Sequence, residues 1–160
     1  MRWYWGTLLA IALIVAVPLG GLWLWGRPRA HVAMPTAATS PADVVRTYAR
    51  AMNERDFDAC RRMGVGNAGN ADANWTTLQG PRIDDLRIDG VGKVTTGRLA
   101  TKDPWSDPGM RPWEQTVSVE TSETTKNFDG QPEPEGHVYS FELVRHSSSQ
   151  PWRIYSYGEG

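Results

Sequence analysis

The stretch HVYSFELVRHSSSQPWRIYSY, residues 137–157, decides the fold. Its first part alternates strictly. Tyr139, Phe141 and Leu143 fall on one face; Val138, Ser140, Glu142 and Val144 fall on the other. A period of two with one apolar face is the pattern of a half-buried strand. Residues 147–150 are a short polar turn, and WRIYSY at 152–157 resumes the extended pattern. Two strands joined by so short a link pair antiparallel.

Working outward, WEQTVSVET at 113–121 alternates into another long strand, which Thr124 and Thr125 extend. Residues 127–136 form a polar turn with Asp129-Gly130 and two prolines. Ile83, Leu86 and Ile88 mark an earlier strand, and Val91 to Leu99 marks a second, before a Pro/Trp loop over 102–113. Successive strands with short polar links predict an antiparallel meander.

Upstream of Pro81 the period is helical. Ser40-Pro41-Ala42-Asp43 is a helix start: a capping serine, proline at the first position, and an acid in the first turn. Val44, Val45, Tyr48, Ala51 and Met52 then recur at helical spacing, to about Glu54. Asp56 restarts a shorter helix with Phe57, Cys60 and Met63 on one face, which Gly64 and Gly66 end. Residues 64–80 read as a Gly- and Asn-rich loop with room for a short helix over 71–78. Their Asn74-Trp75-Thr76 matches a glycosylation sequon, a pattern that chance supplies often. Helices first and strands after is an α+β order, with the helices packed on one face of the sheet.

The N-terminal stretch WYWGTLLAIALIVAVPLGGLWLW, residues 3–25, carries no charge and has aromatic residues at both ends. As a helix it would be about 34 Å long at ~1.5 Å per residue, which predicts a transmembrane helix. Its length, and the Arg27-Pro28-Arg29 that follows, argue for a retained anchor over a cleaved signal peptide. The expected organisation is an anchor over 1–26, a flexible Pro- and Ala-rich stalk over 27–39, and one domain over 40–160. Basic residues divide almost evenly across the apolar stretch, so charge does not orient it.

All 18 acidic residues lie after residue 40, with 14 of the 17 basic ones, so the domain is mildly acidic. That argues against nucleic acid as a partner. One cysteine, Cys60, makes no internal disulfide. His137 and His146 stand at opposite ends of one strand and His31 lies in the stalk, so no zinc site is expected. Asp84, Asp85 and Asp89 read as a solvated strand edge.

The order of elements is similar to the nuclear transport factor 2-like (cystatin-like, SnoaL-like) superfamily. SPADVVRTYARAMNERDFDACRRM resembles its first two helices, and VYSFELVRHSSSQPWRIYSYGEG its last two strands. The resemblance covers roughly residues 40–160. It implies a cone-like domain, with N-terminal helices packed on a curved, mostly antiparallel sheet. Members behind one transmembrane helix resemble small actinobacterial envelope proteins. That implies a single-pass membrane protein with the domain outside the cytoplasm, used for binding or assembly with envelope partners or with itself. Lipid would be met through residues 3–25. The same fold hosts isomerases and cyclases, so a small-ligand pocket or enzyme is the alternative.

No catalytic constellation, metal ligand set or cofactor motif is present in the sequence, which favours a non-enzymatic reading. The candidate ligand-binding residues are Tyr48, Trp113 and Glu142. Tyr48 would be a pocket donor or a core tyrosine with its hydroxyl at the rim. Glu142 would be a buried base or an ordinary acid on the open face of the sheet. Trp75 and Trp105, large aromatics in loops, are the candidate partner contacts.

Overall fold

The computed structural model describes residues 2–65, 81–102, 107–126 and 137–159. Its elements are α1 (Arg2–Trp25), α2 (Pro41–Asn53), α3 (Phe57–Met63), β1 (Arg82–Val91), α4 (Gly97–Ala100), a 3-10 turn (Pro108–Met110), β2 (Gln115–Lys126), β3 (His137–Arg145) and β4 (Arg153–Glu159). The four strands lie in the order β1-β2-β3-β4, every neighbouring pair antiparallel. The chain is therefore α+β with a four-stranded antiparallel meander, as the alternation in residues 113–157 predicts.

α2 begins as its sequence dictates. Ser40 Oγ accepts from the Asp43 N–H at 3.2 Å, and Pro41 occupies the first turn. The helix ends in a Schellman arrangement: the Asp56 N–H donates to Ala51 O at 2.8 Å and the Arg55 N–H to Met52 O at 3.0 Å. Arg55 takes the left-handed residue of that motif, with φ 60°. Asp56 then caps α3, accepting from the Ala59 N–H at 3.1 Å. Val44, Val45, Tyr48, Met52, Phe57 and Met63 project from these helices into one core with Val117, Val119, Phe141, Leu143, Trp152 and Ile154 of the sheet. Each such side chain contributes on the order of 1.5–3 kcal/mol by leaving water.

β1 departs from simple alternation, and the departure has a local cause. Ile83 and Leu86 are three residues apart, so a regular strand would turn them to opposite faces. Asp85 adopts φ 54° at a bulge between Asp84 and Arg87, which resets the register against β2. Ile83, Leu86 and Ile88 all pack on the core as a result. A second register shift lies between Ile88 and Gly90. β1 thus carries two register shifts against β2, the kind of irregularity that raises local twist in a strand.

The second strand expected over 91–99 is not formed. Beyond Val91, the Gly92 N–H still donates to Ser118 O at 2.8 Å, and Thr95 forms an isolated bridge with Thr116. The chain then turns into α4. Val94 and Leu99 stand exposed; five residues apart, they would fall on opposite faces of a regular strand, so they supply no single apolar face to bury. Gly97 sits here because nothing larger fits. A Cβ on it would lie 1.9 Å from Met110 O and 2.9 Å from Trp113 O. Gly97→Ala is expected to push the 110–113 segment away and to cost roughly 1–3 kcal/mol. An unchanged urea midpoint, with the Trp113 indole resonance unmoved, would disprove this account of the contact.

The reading of residues 3–25 as a transmembrane segment is corrected, and with it the membrane, single-pass and extracytoplasmic assignments. Among the described residues, no helix is long and apolar enough to cross a membrane. The side chains of α1 are described from Ile14 to Trp25. The apolar side chains of that run face outward, Ile14 at 72% exposure and Leu24 at 64%.

Residues 27–39, expected as a flexible stalk, form no regular element and are bonded to the α2–α3 turn. The Arg29 N–H donates to Glu54 O at 2.7 Å, and the Val32 N–H to Asp56 Oδ2 at 2.9 Å. His31 Nδ1 lies 3.5 Å from the same Asp56 oxygen. The Arg55 guanidinium sits 4.1 Å above the Trp25 ring and 5.7 Å from that of Phe57, joining the end of α1 to α3.

Candidate functional site

The face of the sheet covered by α2 carries a small polar cluster inside an aromatic one. Tyr48, from the middle of α2, meets Phe141 edge-on at 6.2 Å and Tyr157 at 5.9 Å. Tyr157 stacks on Phe141 at 5.3 Å with 14° between the rings. Offset and edge contacts of this kind are the favoured aromatic geometries. Tyr157 is 42% exposed, so this cluster reaches the surface.

Glu123, only 4% exposed, lies beside these rings on β2. It follows Val117, Val119 and Thr121 at steps of two and so shares their inward face. Burial raises its pKa to about 7, with the Thr121 hydroxyl 3.4 Å away opposing the rise. The same hydroxyl lies 3.2 Å from Tyr139 O. One hydroxyl proton serves one acceptor at a time. The Thr121 hydroxyl is the donor in both contacts and so divides its proton between Glu123 Oε2 and Tyr139 O.

Burial, and then the neighbouring Tyr157 and Cys60, raise the Tyr48 pKa. Burial and the neighbouring Glu123 charge raise that of Tyr157. Both phenols are neutral hydrogen-bonding groups near neutrality. The Cys60 thiol, whose Sγ is 3.9 Å from Tyr48 O, is pushed up to about 12 by burial and by Asp56. It is a core thiol and not a nucleophile. What this cluster can do chemically is hold or release one proton, at Glu123, close to neutral pH.

Burial also pushes Asp56 up, but the N–H groups of Val32 and Ala59, then His31, outweigh it and hold this carboxyl below the usual range. Asp56 therefore acts as the joint between residues 29–32 and the helices.

The residues singled out in the sequence fall in separate places. Tyr48 is in the cluster just described, buried against Phe141 and Tyr157. Glu142 alternates out of phase with Phe141 and Leu143, so it lies on the opposite face of the sheet from Tyr48, half-buried. Burial raises its pKa, and the hydroxyls of Ser118 and Ser140 oppose the rise; those two hydroxyls are 2.9 Å apart. Trp113 packs against a small second core of Val65, Met110 and Val144, and stacks on His146 at 4.1 Å and 17°. Trp75 and Trp105 lie outside the described residues. Asp84 is paired with Arg82 at 2.7 Å and Lys126 at 3.0 Å, and Asp89 accepts from Ser122.

Glu123 is the group that reading the sequence missed. The signal was present: Val117, Val119, Thr121 and Glu123 are one series at steps of two. A carboxyl continuing a row of core valines is either at the open end of the sheet or buried.

The chain matches no family model, no curated protein and no solved structure.

Proposed function

We propose that this chain is a non-enzymatic binding or assembly module. On this reading its domain is a cone-like structure of the nuclear transport factor 2-like kind, and it associates with a second protein chain through α1. The supporting observation is the exposure of Ile14, Val17, Leu19, Leu22, Trp23 and Leu24 along the described part of that helix. A contiguous apolar surface of this extent marks an interaction site, since water contact costs about 25 cal/mol for each Å² left uncovered. The helix carries no charge over 14–25, so two copies can meet without stranding an unpaired ion. Gly20 and Gly21 have open space where a side chain would begin, which allows close approach. Support for the domain reading comes from α2 and α3 lying on one face of a bulged antiparallel meander.

The test is sedimentation of the full chain in mild detergent, with Leu22→Glu and Leu24→Glu combined as the disrupted form. Self-association is expected in the native chain and weakened by about 100-fold in the variant, the scale of removing two central apolar anchors. A native chain that stays monomeric, or that enters lipid vesicles without associating with protein, would overturn the reading.

A further inference from the structure

We propose that a groove at the end of the β3–β4 hairpin binds a small organic oxyanion, a carboxylate or phosphate carried on a flat body. The groove is lined by Trp113, Arg145, His146, Gln150, Pro151 and Arg153, and has a volume of about 340 Å³. That is the lower end of the range for sites that take metabolite-sized ligands.

The charge of the lining selects the ligand. Arg145 and Arg153 both line this one concavity, with no acidic residue among its walls. Three described arginines are paired with carboxylates: Arg46 with Asp43, Arg61 with Asp58, Arg82 with Asp84. Among the described residues neither Arg145 nor Arg153 forms an ion pair. Each is instead held in place by a neutral acceptor. Arg145 donates through Nε to Gln115 Oε1 and lies 4.1 Å above the Trp152 ring. Arg153 donates through Nη2 to Gly64 O. A guanidinium carries five N–H donors, so these bonds orient each group and leave others to serve an anion. Arg153 Nε is buried with no hydrogen-bond partner, a donor whose lost hydration is not compensated.

The remaining walls suit a flat ligand. Trp113 and His146 are stacked, giving a stiff aromatic side to the groove. Gln150 accepts from the His146 N–H at 3.3 Å through Oε1, which leaves its amide N–H₂ as a further donor. Carboxylate and phosphate both match the guanidinium fork. This inference is independent of α1 and of Glu123.

The experiment is titration of the full chain, followed by ¹H–¹⁵N spectra, with phenyl phosphate, benzoate, inorganic phosphate and benzyl alcohol as probes. The Trp113 indole signal is identified by its loss in Trp113→Phe. Phenyl phosphate or benzoate is expected to shift the Trp113 indole and the Arg145 and Arg153 Nε–H signals saturably, with a midpoint below about 5 mM. The stronger of the two assigns the anion as phosphate or carboxylate. Added salt is expected to weaken the binding. Arg145→Gln is expected to weaken it by at least about 10-fold and the exposed Gln150→Ala by about 3-fold, while Arg98→Gln, on α4, leaves it unchanged. Gln150→Ala keeps the test open where an arginine variant fails to fold. No saturable shift in the native chain, an equal response to benzyl alcohol, or unchanged binding in Arg145→Gln would each overturn the proposal. Inorganic phosphate binding as tightly as phenyl phosphate would overturn the flat-body half of it.

Discussion

Glu123→Gln stabilises the chain at pH 8 and leaves its stability at pH 4 nearly unchanged. In the native chain Glu123 is buried beside Tyr157, and its pKa is raised from the ordinary 4.5 to about 7. The folded state therefore holds a proton that the unfolded state has released across this interval. Stability contributed by the protonated carboxyl is fully present below pH 4.5 and is lost as pH rises toward about 7. Above that, the buried carboxylate costs on the order of 3 kcal/mol relative to acid conditions. Glutamine keeps the size of the side chain, and its amide oxygen can accept from the Thr121 hydroxyl as the Glu123 carboxyl does. It carries no charge to desolvate. Urea unfolding at pH 4, 6 and 8 should therefore show curves for the two proteins that coincide in acid and diverge upward. A difference that is flat across pH, or a Glu123 carboxyl carbon that titrates in the ordinary range, would show that the carboxyl is hydrated. Asp56 has the opposite sign. Its carboxyl is held below the usual range, so its contribution is present at neutral pH and is lost as pH falls through the folded value.

Phe141→Ala is expected to lose about 3–5 kcal/mol, the usual cost of emptying a buried aromatic site. Phe141 is completely buried and joins the two elements that close this face: Tyr48 of α2 meets it edge-on and Tyr157 of β4 stacks on it. A domain of this size has about 5–15 kcal/mol of net stability in all, so the variant would approach the limit of folding at ordinary temperature. A loss below about 1 kcal/mol would mean that the neighbouring rings collapse into the gap and that Phe141 does not hold them apart.

How legible each part of the structure is depends on how local its cause is. α2 is legible almost to the residue, because Ser40, Pro41 and Asp43 act within one turn and its apolar period repeats through Met52. β2, β3 and β4 are legible because alternation at steps of two has one physical cause, a buried face. The failures come where one residue changes the face or the partner. Asp85 resets the register of β1 through its own backbone angle, and aspartate in a strand does not announce a positive φ. Residues 91–99 carry Val91, Val94 and Leu99 without a strict period of two, and past Val91 the described contacts with β2 are those of Gly92 and the isolated Thr95–Thr116 bridge.

The candidate sites divide in the same way. The faces of Tyr48 and Glu142 follow from periodicity, yet only the packing of α2 on the sheet sets them on opposite sides of one layer. Glu123 belongs by its spacing to the row of Val117 and Val119; its burial depends on Tyr48 and Tyr157, residues 75 and 34 positions away in the chain. The oxyanion groove joins Trp113 to Arg145, His146 and Arg153 because antiparallel pairing brings the start of β2, the end of β3 and the start of β4 to one edge. The sequence by itself determined the α+β order, the helix caps and the inward rows of the strands, since each rests on interactions within a few residues. Only the tertiary structure decided which carboxyl is buried and which arginines share a concavity, because desolvation and charge proximity depend on distances between residues remote in the chain.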